Sequence, residues 1–373
     1  MTNKLNLGVL FGGRSCEHEV SVISARSVLQ AIDQNKYNIC LIGIDKAGYW
    51  KTSQHFENLV DSGSVKSLQH QSGASTSDVS LTLHDQGNVI FADTPANQPT
   101  FPTLDVIFPV LHGTFGEDGT LQGALEMAGI PYVGCGVAAS SLAMDKALAK
   151  KVFEASSIPQ APYYIVTHHK WRKDSTTLIE QLETGIGYPL FIKPANMGSS
   201  VGVNKAHDRD QLITSINHAL EFDNKVVVEQ SMENCREVEC SVLGNHDPIA
   251  SVVGEIIPGA EFYNYETKYL DDKSDLVIPA DLPASVSDKI RQLSIDAFTA
   301  IDGKGLSRVD FFVHKDTEEI YLNEVNTMPG FTPISMYPQL WAASGISYAE
   351  LIDRLINLAI EHHQSKQSIK RVF

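Results

Sequence analysis

Between Ser307 and Phe331 the chain reads SRVDFFVHKDTEEIYLNEVNTMPGF, and this stretch restricts the fold more than any other. Two runs rich in β-branched and aromatic residues flank a polar turn, the pattern of a β-hairpin. Strand side chains alternate faces, so Arg308 and Asp310 share one face, and Glu324 and Asn326 share one. A turn over Lys315–Glu319 sets Asp310 opposite Glu324 and Arg308 opposite Asn326. One patch then holds two carboxylates, an amide and a guanidinium. Oxygen donors of this kind suit a hard cation such as Mg²⁺, which keeps waters and binds substrate phosphates as well. The same four groups would equally make a polar hairpin face closed by an ion pair.

Bulk properties narrow the field. A chain of 373 residues has room for two or three domains at roughly 100–200 residues each. With 43% hydrophobic and 20% charged residues it has the composition of a globular protein. A formal net charge of −16 argues against nucleic acid or an anionic membrane as the main partner. It leaves phosphate ligands open, because a local group of Lys and Arg decides those. No apolar run approaches a membrane span, and MTNKLNLGVLFGG enters a strand-like segment without a secretory pattern. Five scattered cysteines suit a reducing compartment better than a disulfide framework. The expectation is a cytoplasmic protein.

The chain opens as an α/β unit: NLGVLFGG is a strand and a Gly turn, Val20 to Ala31 a helix, YNICLIGID a second strand. Between the first strand and the helix lies GGRSCEHEVS. Ligands in such sheets bind at the carboxyl ends of strands, which suits Glu17; a carboxylate complementing the helix dipole would sit there too. Residues 53–100 are rich in Ser, Gln, Asn and Gly and suggest an insertion holding a hairpin, with Gln86-Gly87-Asn88 as its turn. Asp105 to Leu111 is a buried strand ended by His112, which either orients a substrate or serves as a structural histidine. GCGVAAS, from Gly134, resembles a dinucleotide fingerprint but lacks the acidic residue expected about 20 residues on.

The middle carries the phosphate signals. MDKALAKKVFEASSIP is an amphipathic helix with Lys146 near its start, where helix N-terminus and cation would both attract phosphate. In YPLFIKPANMGSSVGVNKA a strand bearing Lys193 leads through Gly198, Ser199, Ser200 and Gly202 into another strand. Glycine lets backbone N–H groups approach phosphate oxygens, and serine adds donors. This is no P-loop, since the glycines join two strands; a plain Gly-Ser hairpin is the other reading. VVVEQSM suits a strand between lobes. GAEFYNYETKYLDDKSDLVIPADL is long for a connection and suggests a lid.

Taken together, GGRSCEHEVS, LHGTFGEDGTLQG, MDK, FIKPANMGSSVG, VVVEQ, ETKYL, SRVDFF and NEVNTMPGFT resemble, in this order, D-alanine–D-alanine ligases of the ATP-grasp superfamily. The resemblance runs through essentially the whole chain, apart from the Ser-rich insertion and the C-terminal tail. It implies an α/β and α+β architecture: a three-domain ATP-grasp fold with an N-terminal parallel-sheet (pre-ATP-grasp, Rossmann-like) domain. Residues 1–144 would form the N-terminal α/β substrate domain, 145–230 the central ATP-grasp domain, and 231–373 the C-terminal ATP-grasp domain with metal site and lid loop.

The resemblance also implies roles. Lys146, Lys193 and Lys268 would hold the ATP phosphates, the Glu229–Met232 backbone the adenine, and Glu237 the ribose. Asp310, Glu324 and Asn326 would bind two Mg²⁺ ions, with Mn²⁺ able to substitute. Glu17 would hold the ammonium of the first D-alanine near His112. Ser335 and the neighbouring backbone, Met336 included, would hold the carboxylate of the second. Arg308 and the Gly330 N–H would steady the oxyanion. Ser199, Tyr269 and Glu17 would form the latch that closes the lid. The implied partners are ATP and D-alanine, with no nucleic acid or membrane and a homodimer as assembly; the product would feed peptidoglycan synthesis.

Cys16 stands where relatives carry a small Ala, which points to a thiol-sensitive site, and Asn196-Met197 departs from the charged or amide residue usual before the loop glycine. The alternatives are an ATP-grasp ligase joining D-alanine to another small D-amino acid such as D-serine, and a nucleotide-sensing module without turnover. Relatives that make D-alanyl-D-lactate carry His or Phe at the position of Tyr269, so Tyr269 favours an amine as second substrate. Tyr269→Phe is expected to raise depsipeptide formation when D-lactate is offered beside D-alanine; an unchanged product ratio would refute it.

Overall fold

The computed structural model describes residues 4–52, 77–81, 89–91, 103–257 and 275–370. Three sheets organise them. The first begins with β1 (Leu5–Gly12), α1 (His18–Ala31) and β2 (Tyr37–Ile44), followed by β3 (Trp50–Thr52), β4 (Ser77–Leu81), β5 (Val89–Phe91) and β6 (Val106–Val110). Its order is β5-β4-β3-β2-β1-β6. The strands β2, β1 and β6 run parallel, as the βαβ pattern requires, while β3 to β5 extend the edge by antiparallel pairing. The expected insertion hairpin is thus present as β4 and β5, with Leu81 opposite Val89; its turn, Gln86-Gly87-Asn88, lies outside the described residues. All five residues of β6 are buried, the mark of a strand covered on both faces.

Three helices, α2 (Thr120–Ala128), α3 (Val137–Met144) and α4 (Lys146–Ala155), lead to the second sheet. That sheet contains β7 (Tyr163–Thr167), β8 (Leu190–Pro194), β9 (Asn204–Ala206) and β10 (Lys225–Gln230), in the order β7-β10-β8-β9. Its cover is α5 (His168–Lys173), α6 (Ser175–Gly185) and α7 (Arg209–Ala219), whose Trp171, Leu182 and Ile216 are buried with Ile192 and Val228.

The third sheet is antiparallel, β13-β12-β11-β14-β15. Its strands are β11 (Cys235–Gly244), β12 (Ile249–Ile257), β13 (Asp275–Val277), β14 (Gly305–His314) and β15 (Ile320–Asn326). The helix α8 (Ala284–Ala300) covers one face through Ile290, Ala297 and Phe298, fully buried with Val242 and Val309. The VVVEQ strand and the strand after it therefore join two different sheets rather than forming one hairpin.

The last two helices, α9 (Met336–Ala343) and α10 (Tyr348–Gln367), return to the start of the chain. Leu351, Leu355 and Ile356 on one face of α10 are buried in one cluster with Leu7 and Val9 of β1, Val28 of α1 and Phe108 of β6. Tyr37 Oη donates to Asp353 Oδ1 at 2.9 Å along the same seam. This apolar seam ties the first and last segments together and fixes the angle between their sheets. No helix among the described residues is long and apolar enough to cross a membrane.

Leu355 is fully buried, so Leu355→Ala should cost about 2–5 kcal/mol, the usual range for emptying such a site. The check is a urea titration, in which the midpoint should fall with little change in slope.

Candidate active site

The late hairpin places its four polar groups as its alternation predicts. Arg308 pairs with Asn326 and Asp310 with Glu324 across β14 and β15. The residues between the strands are indeed 315–319, but next to the turn Val313 pairs with Ile320, one residue off the symmetric register, which if continued would set Asp310 opposite Asn323; the register shifts between Asp310 and Phe311, and this bulge restores the pairing with Glu324. Arg308 is buried and grips Asp310 with both arms, Nε to Oδ1 at 2.8 Å and Nη2 to Oδ2 at 2.7 Å. Its Nε also lies 2.9 Å from Glu239 Oε2, on β11 directly opposite Asp310. Burial works against the guanidinium charge, but Asp310 and Glu239 outweigh it and hold the group charged. Asn326 Nδ2 donates to Asp310 Oδ2 at 3.0 Å.

Facing the hairpin are the lysines. Lys146 Nζ donates to the Met197 carbonyl at 2.9 Å and lies 3.5 Å from Glu324 Oε2. Lys193 Nζ reaches Glu229 Oε1 and Asn323 Oδ1, the latter at 3.1 Å. Burial alone would push the Glu229 carboxyl up; Lys150 and Lys193 outweigh it and bring it down to about 2. One expectation needs correction. The first turn of α4 does not offer its N–H groups to a phosphate, because Asp145 Oδ1 accepts from Ala147 and Leu148 at 3.1 and 3.0 Å. An aspartate at the N-cap has already satisfied those donors.

The Gly-Ser loop between β8 and β9 crosses to the first sheet. Ser199 Oγ donates to Glu17 Oε1 at 2.5 Å. Glu17 stands at the N-cap of α1 but makes no side-chain cap there, so its carboxylate faces the loop instead of serving its own helix. Glycine makes this approach possible: a Cβ on Gly113 would lie 2.5 Å from Glu17 Oε2, and one on Gly198 2.8 Å. His112 has both ring nitrogens engaged, Nδ1 with the Met328 carbonyl at 2.9 Å and Nε2 with Ser24 Oγ at 3.0 Å. Burial holds its imidazole below the usual range. Of the two readings of this residue, the geometry matches the structural one.

Glu117 is a residue that sequence reasoning passed over. Its Oε2 accepts from Gly113 N at 2.7 Å and its Oε1 from Met328 N at 2.8 Å, so one carboxylate joins the loop after β6 to the turn after β15. Burial, then the neighbouring Glu17, pushes its pKa up to about 8. Lys150, on α4, and Glu239, on β11, were missed because each acts on a charged side chain of another element, a relation that leaves no local spacing. Only Glu117 had a visible signal, in the GEDG run after His112.

Apart from Lys150 and Asp145, the charged groups named above line one cavity of about 440 Å³, walled by the second and third sheets and by the segments that follow β1 and β6 of the first. Besides the charged groups it is lined by Phe191 and Phe312, by Met232, Glu237 and Gly330, and by Glu17 and Ser199. Ser335 lies beside it; its Oγ accepts from Thr332 N at 3.0 Å and would meet a Cβ on Gly330 at 2.7 Å. Met336 turns its side chain into an apolar cluster with Ile256 and Leu340. Lys268 and Tyr269 lie outside the described residues. The GCGVAAS glycines face no nucleotide crevice: a Cβ on Gly134 would meet Met328 Cε at 2.9 Å, so this turn packs on the third sheet. Among the described residues no three or more His, Cys, Asp and Glu are grouped for a metal; a hard cation here would use Asp310 and Glu324 with the Asn326 amide.

With this geometry in view, similarity to known proteins is decisive. Residues 6–135 match the family model for the D-ala D-ala ligase N-terminus, and residues 152–357 the model for its C-terminus. The chain belongs to the D-alanine–D-alanine ligase family. It is 48% identical to the D-alanine–D-alanine ligase of Acetivibrio thermocellus over 368 residues, 97% of this chain and 98% of that one. Among solved structures it resembles the D-alanine–D-alanine ligase from Coxiella burnetii, with TM-score 0.85 and 35% identity over 98% of this chain and 96% of that one. It also resembles the VanG D-Ala:D-Ser ligase from Enterococcus faecalis, with TM-score 0.84 and 34% identity over 96% of this chain and 100% of that one.

One departure from the family pattern is Cys16, which is exposed. Desolvation, then Glu17, pushes the Cys16 thiol pKa up, which reduces the thiolate fraction and with it the reactivity expected of a thiol in this loop.

Glu117 gives this ligase-family chain a specific pH signature. Its folded pKa of about 8 exceeds the ordinary carboxylate value, so between the two the folded state holds the extra proton. Its contribution to stability is therefore complete at low pH and is lost as pH rises through that window, by an amount on the order of a few kcal/mol. In Glu117→Gln this slope should vanish. Urea midpoints of both proteins from pH 5 to 9 check it, and parallel curves would refute the assignment.

Proposed function

We propose that this chain joins two D-alanine molecules into D-alanyl-D-alanine at the expense of ATP, through a D-alanyl phosphate. The observation that carries this proposal is the Glu17–Ser199 contact set beside the Arg308–Asp310 pair in one cleft, in a chain of this family. It combines a carboxylate fit for an ammonium, a Gly-Ser loop fit for phosphates, and a buried cation fit for an oxyanion.

A carboxylate is a poor electrophile. Transfer of the γ-phosphoryl group to the first D-alanine makes an acyl phosphate, with ADP released. The amine of the second D-alanine, having lost a proton, then attacks the acyl carbon; phosphate leaves and the amide remains. Lys146 and Lys193 would hold the ATP phosphates, the Glu229–Met232 backbone the adenine and Glu237 the ribose; that all of these residues line the one cavity supports the assignment. Glu17 would hold the first ammonium, with His112 fixing the wall behind it. Ser335 and the Met336 N–H would take the second carboxylate. Arg308 and the Gly330 N–H would steady the tetrahedral oxyanion, each such donor being worth roughly 3 kcal/mol of barrier. The acyl phosphate hydrolyses readily, which gives purpose to a closing latch of Ser199, Glu17 and Tyr269, with Lys268 on the same lid.

Asp310, Glu324 and Asn326 fit a pair of Mg²⁺ ions or Mn²⁺ by the hardness of their oxygens, and such ions would neutralise the β- and γ-phosphate oxygens. Each of the three sheets falls within one of the ranges 1–144, 145–230 and 231–373, which supports three units closing on ATP. Family likeness supports a cytoplasmic homodimer supplying a peptidoglycan precursor.

Purified protein with ATP, Mg²⁺ and D-alanine should yield ADP, phosphate and the dipeptide by mass spectrometry, and a chelator should stop the reaction. Phosphate release with no dipeptide would overturn the proposal. Offering D-serine beside D-alanine separates the D-Ala:D-Ser activity named for the VanG neighbour, which would give the mixed dipeptide as main product.

A further inference from the structure

One buried cation near the cleft has no assigned task. Lys150 lies on α4, 4% exposed, with Nζ 2.8 Å from Glu229 Oε2 and 5.2 Å from the Tyr163 ring centroid. Lys193, on β8, occupies the other carboxylate oxygen. Glu229 is itself 4% exposed, so a single buried carboxylate carries two lysines, one on each oxygen. The lysines differ in outlook. Lys193 lines the cavity, whereas Lys150 does not and approaches Glu229 from behind, out of the helix.

This asymmetry matters because Lys193 has two demands on it. At rest it neutralises Glu229; with ATP bound it would turn to phosphate oxygens. A buried carboxylate that loses its only cation is strongly disfavoured, and it would either keep the lysine or take up a proton. We propose that Lys150 is a positioning residue for nucleotide binding, the standing counter-ion of Glu229 that lets Lys193 leave that carboxylate for the phosphates. The step rests on the ATP binding proposed above.

The groups around the triad agree with the division. Tyr163, from β7, packs its ring over the Lys150 ammonium, a contact suited to a charge that stays in place. Lys193 feels Glu324 on β15 and Glu237 on β11 as well as Glu229, and its Nζ has Asn323 Oδ1 at 3.1 Å. Its surroundings on the cleft side thus provide alternative partners. With both lysines present Glu229 stays ionised at any working pH, since its pKa is held to about 2. With Lys150 gone, desolvation regains the upper hand and the carboxyl titrates at higher pH.

The test is ATP affinity in the presence of Mg²⁺, measured by calorimetry from pH 6 to 8 and expressed as the ratio of variant to native dissociation constant. Lys150→Met should weaken binding tenfold or more at pH 8, and the ratio should shrink as pH falls, because protonated Glu229 releases Lys193. Lys150→Arg should stay within a few-fold of native at every pH. The double variant Lys150→Met with Glu229→Gln should regain most of the loss at pH 8, since no carboxylate is left to retain Lys193. A ratio near one for Lys150→Met, or a loss independent of pH and not recovered in the double variant, would overturn the proposal. If the native protein itself binds no ATP, the nucleotide reading falls with it; if native binds and Lys150→Met binds equally well, only the role of Lys150 falls.

Discussion

Charge compensation in and around one cleft is the constraint on which the rest of this structure depends. Arg308, Glu229, Glu239 and Lys150 are buried and Lys193 is largely so, and an isolated ion in such a place is too costly to keep. The chain resolves this by sharing. Arg308 lies between Asp310 and Glu239, and Glu229 lies between Lys150 and Lys193. Apart from Arg308 with Asp310, which share β14, each of these pairs joins different elements. The sheets must therefore sit where they do for the charges to be tolerated.

The apolar seams carry the complementary half of the work. The cluster that buries α10 against β1 and β6 brings the end of the chain back over its start, and so aims the turn after β15 at the loop after β6. Glu117 then bridges these two loops through backbone N–H groups, while His112 does the same with its ring. Neither residue needs to touch a substrate to matter. They set the distance between the Glu17 side of the cleft and the hairpin side, and a shift of an ångström at such a contact is enough to spoil alignment for transfer.

Much of this was legible in the primary structure. The period-two alternation from Ser307 to Asn326 located the hairpin, its turn and the facing of Asp310 with Glu324, because alternation is a local property of extended backbone. The parallel opening, the buried β6 and the glycine-serine connection between β8 and β9 were likewise local patterns. The bulge at Asn323 was not, since a single unpaired residue leaves the composition of a strand unchanged. Nor was the occupation of the α4 N-terminus by Asp145: helix start and nearby lysine were both visible, yet which acceptor reaches the free N–H groups is decided by side-chain direction.

The residues alone determined the elements, the kind of chemistry and the family, because these follow from short-range pattern and from motifs read in order. Only the tertiary structure decided which charges are partners. Glu17 could serve its helix or the loop, and packing of the first sheet under Gly113 and Gly198 gives it to Ser199. His112 could face a ligand or the protein, and the return of Met328 takes its ring. Lys150 is one lysine of four between Lys146 and Lys170 until α4 is laid against β10, where it meets Glu229. Electrostatic partnership acts across a few ångströms of space, and the backbone path between these groups runs through tens to hundreds of residues, a distance that no window along the chain can see.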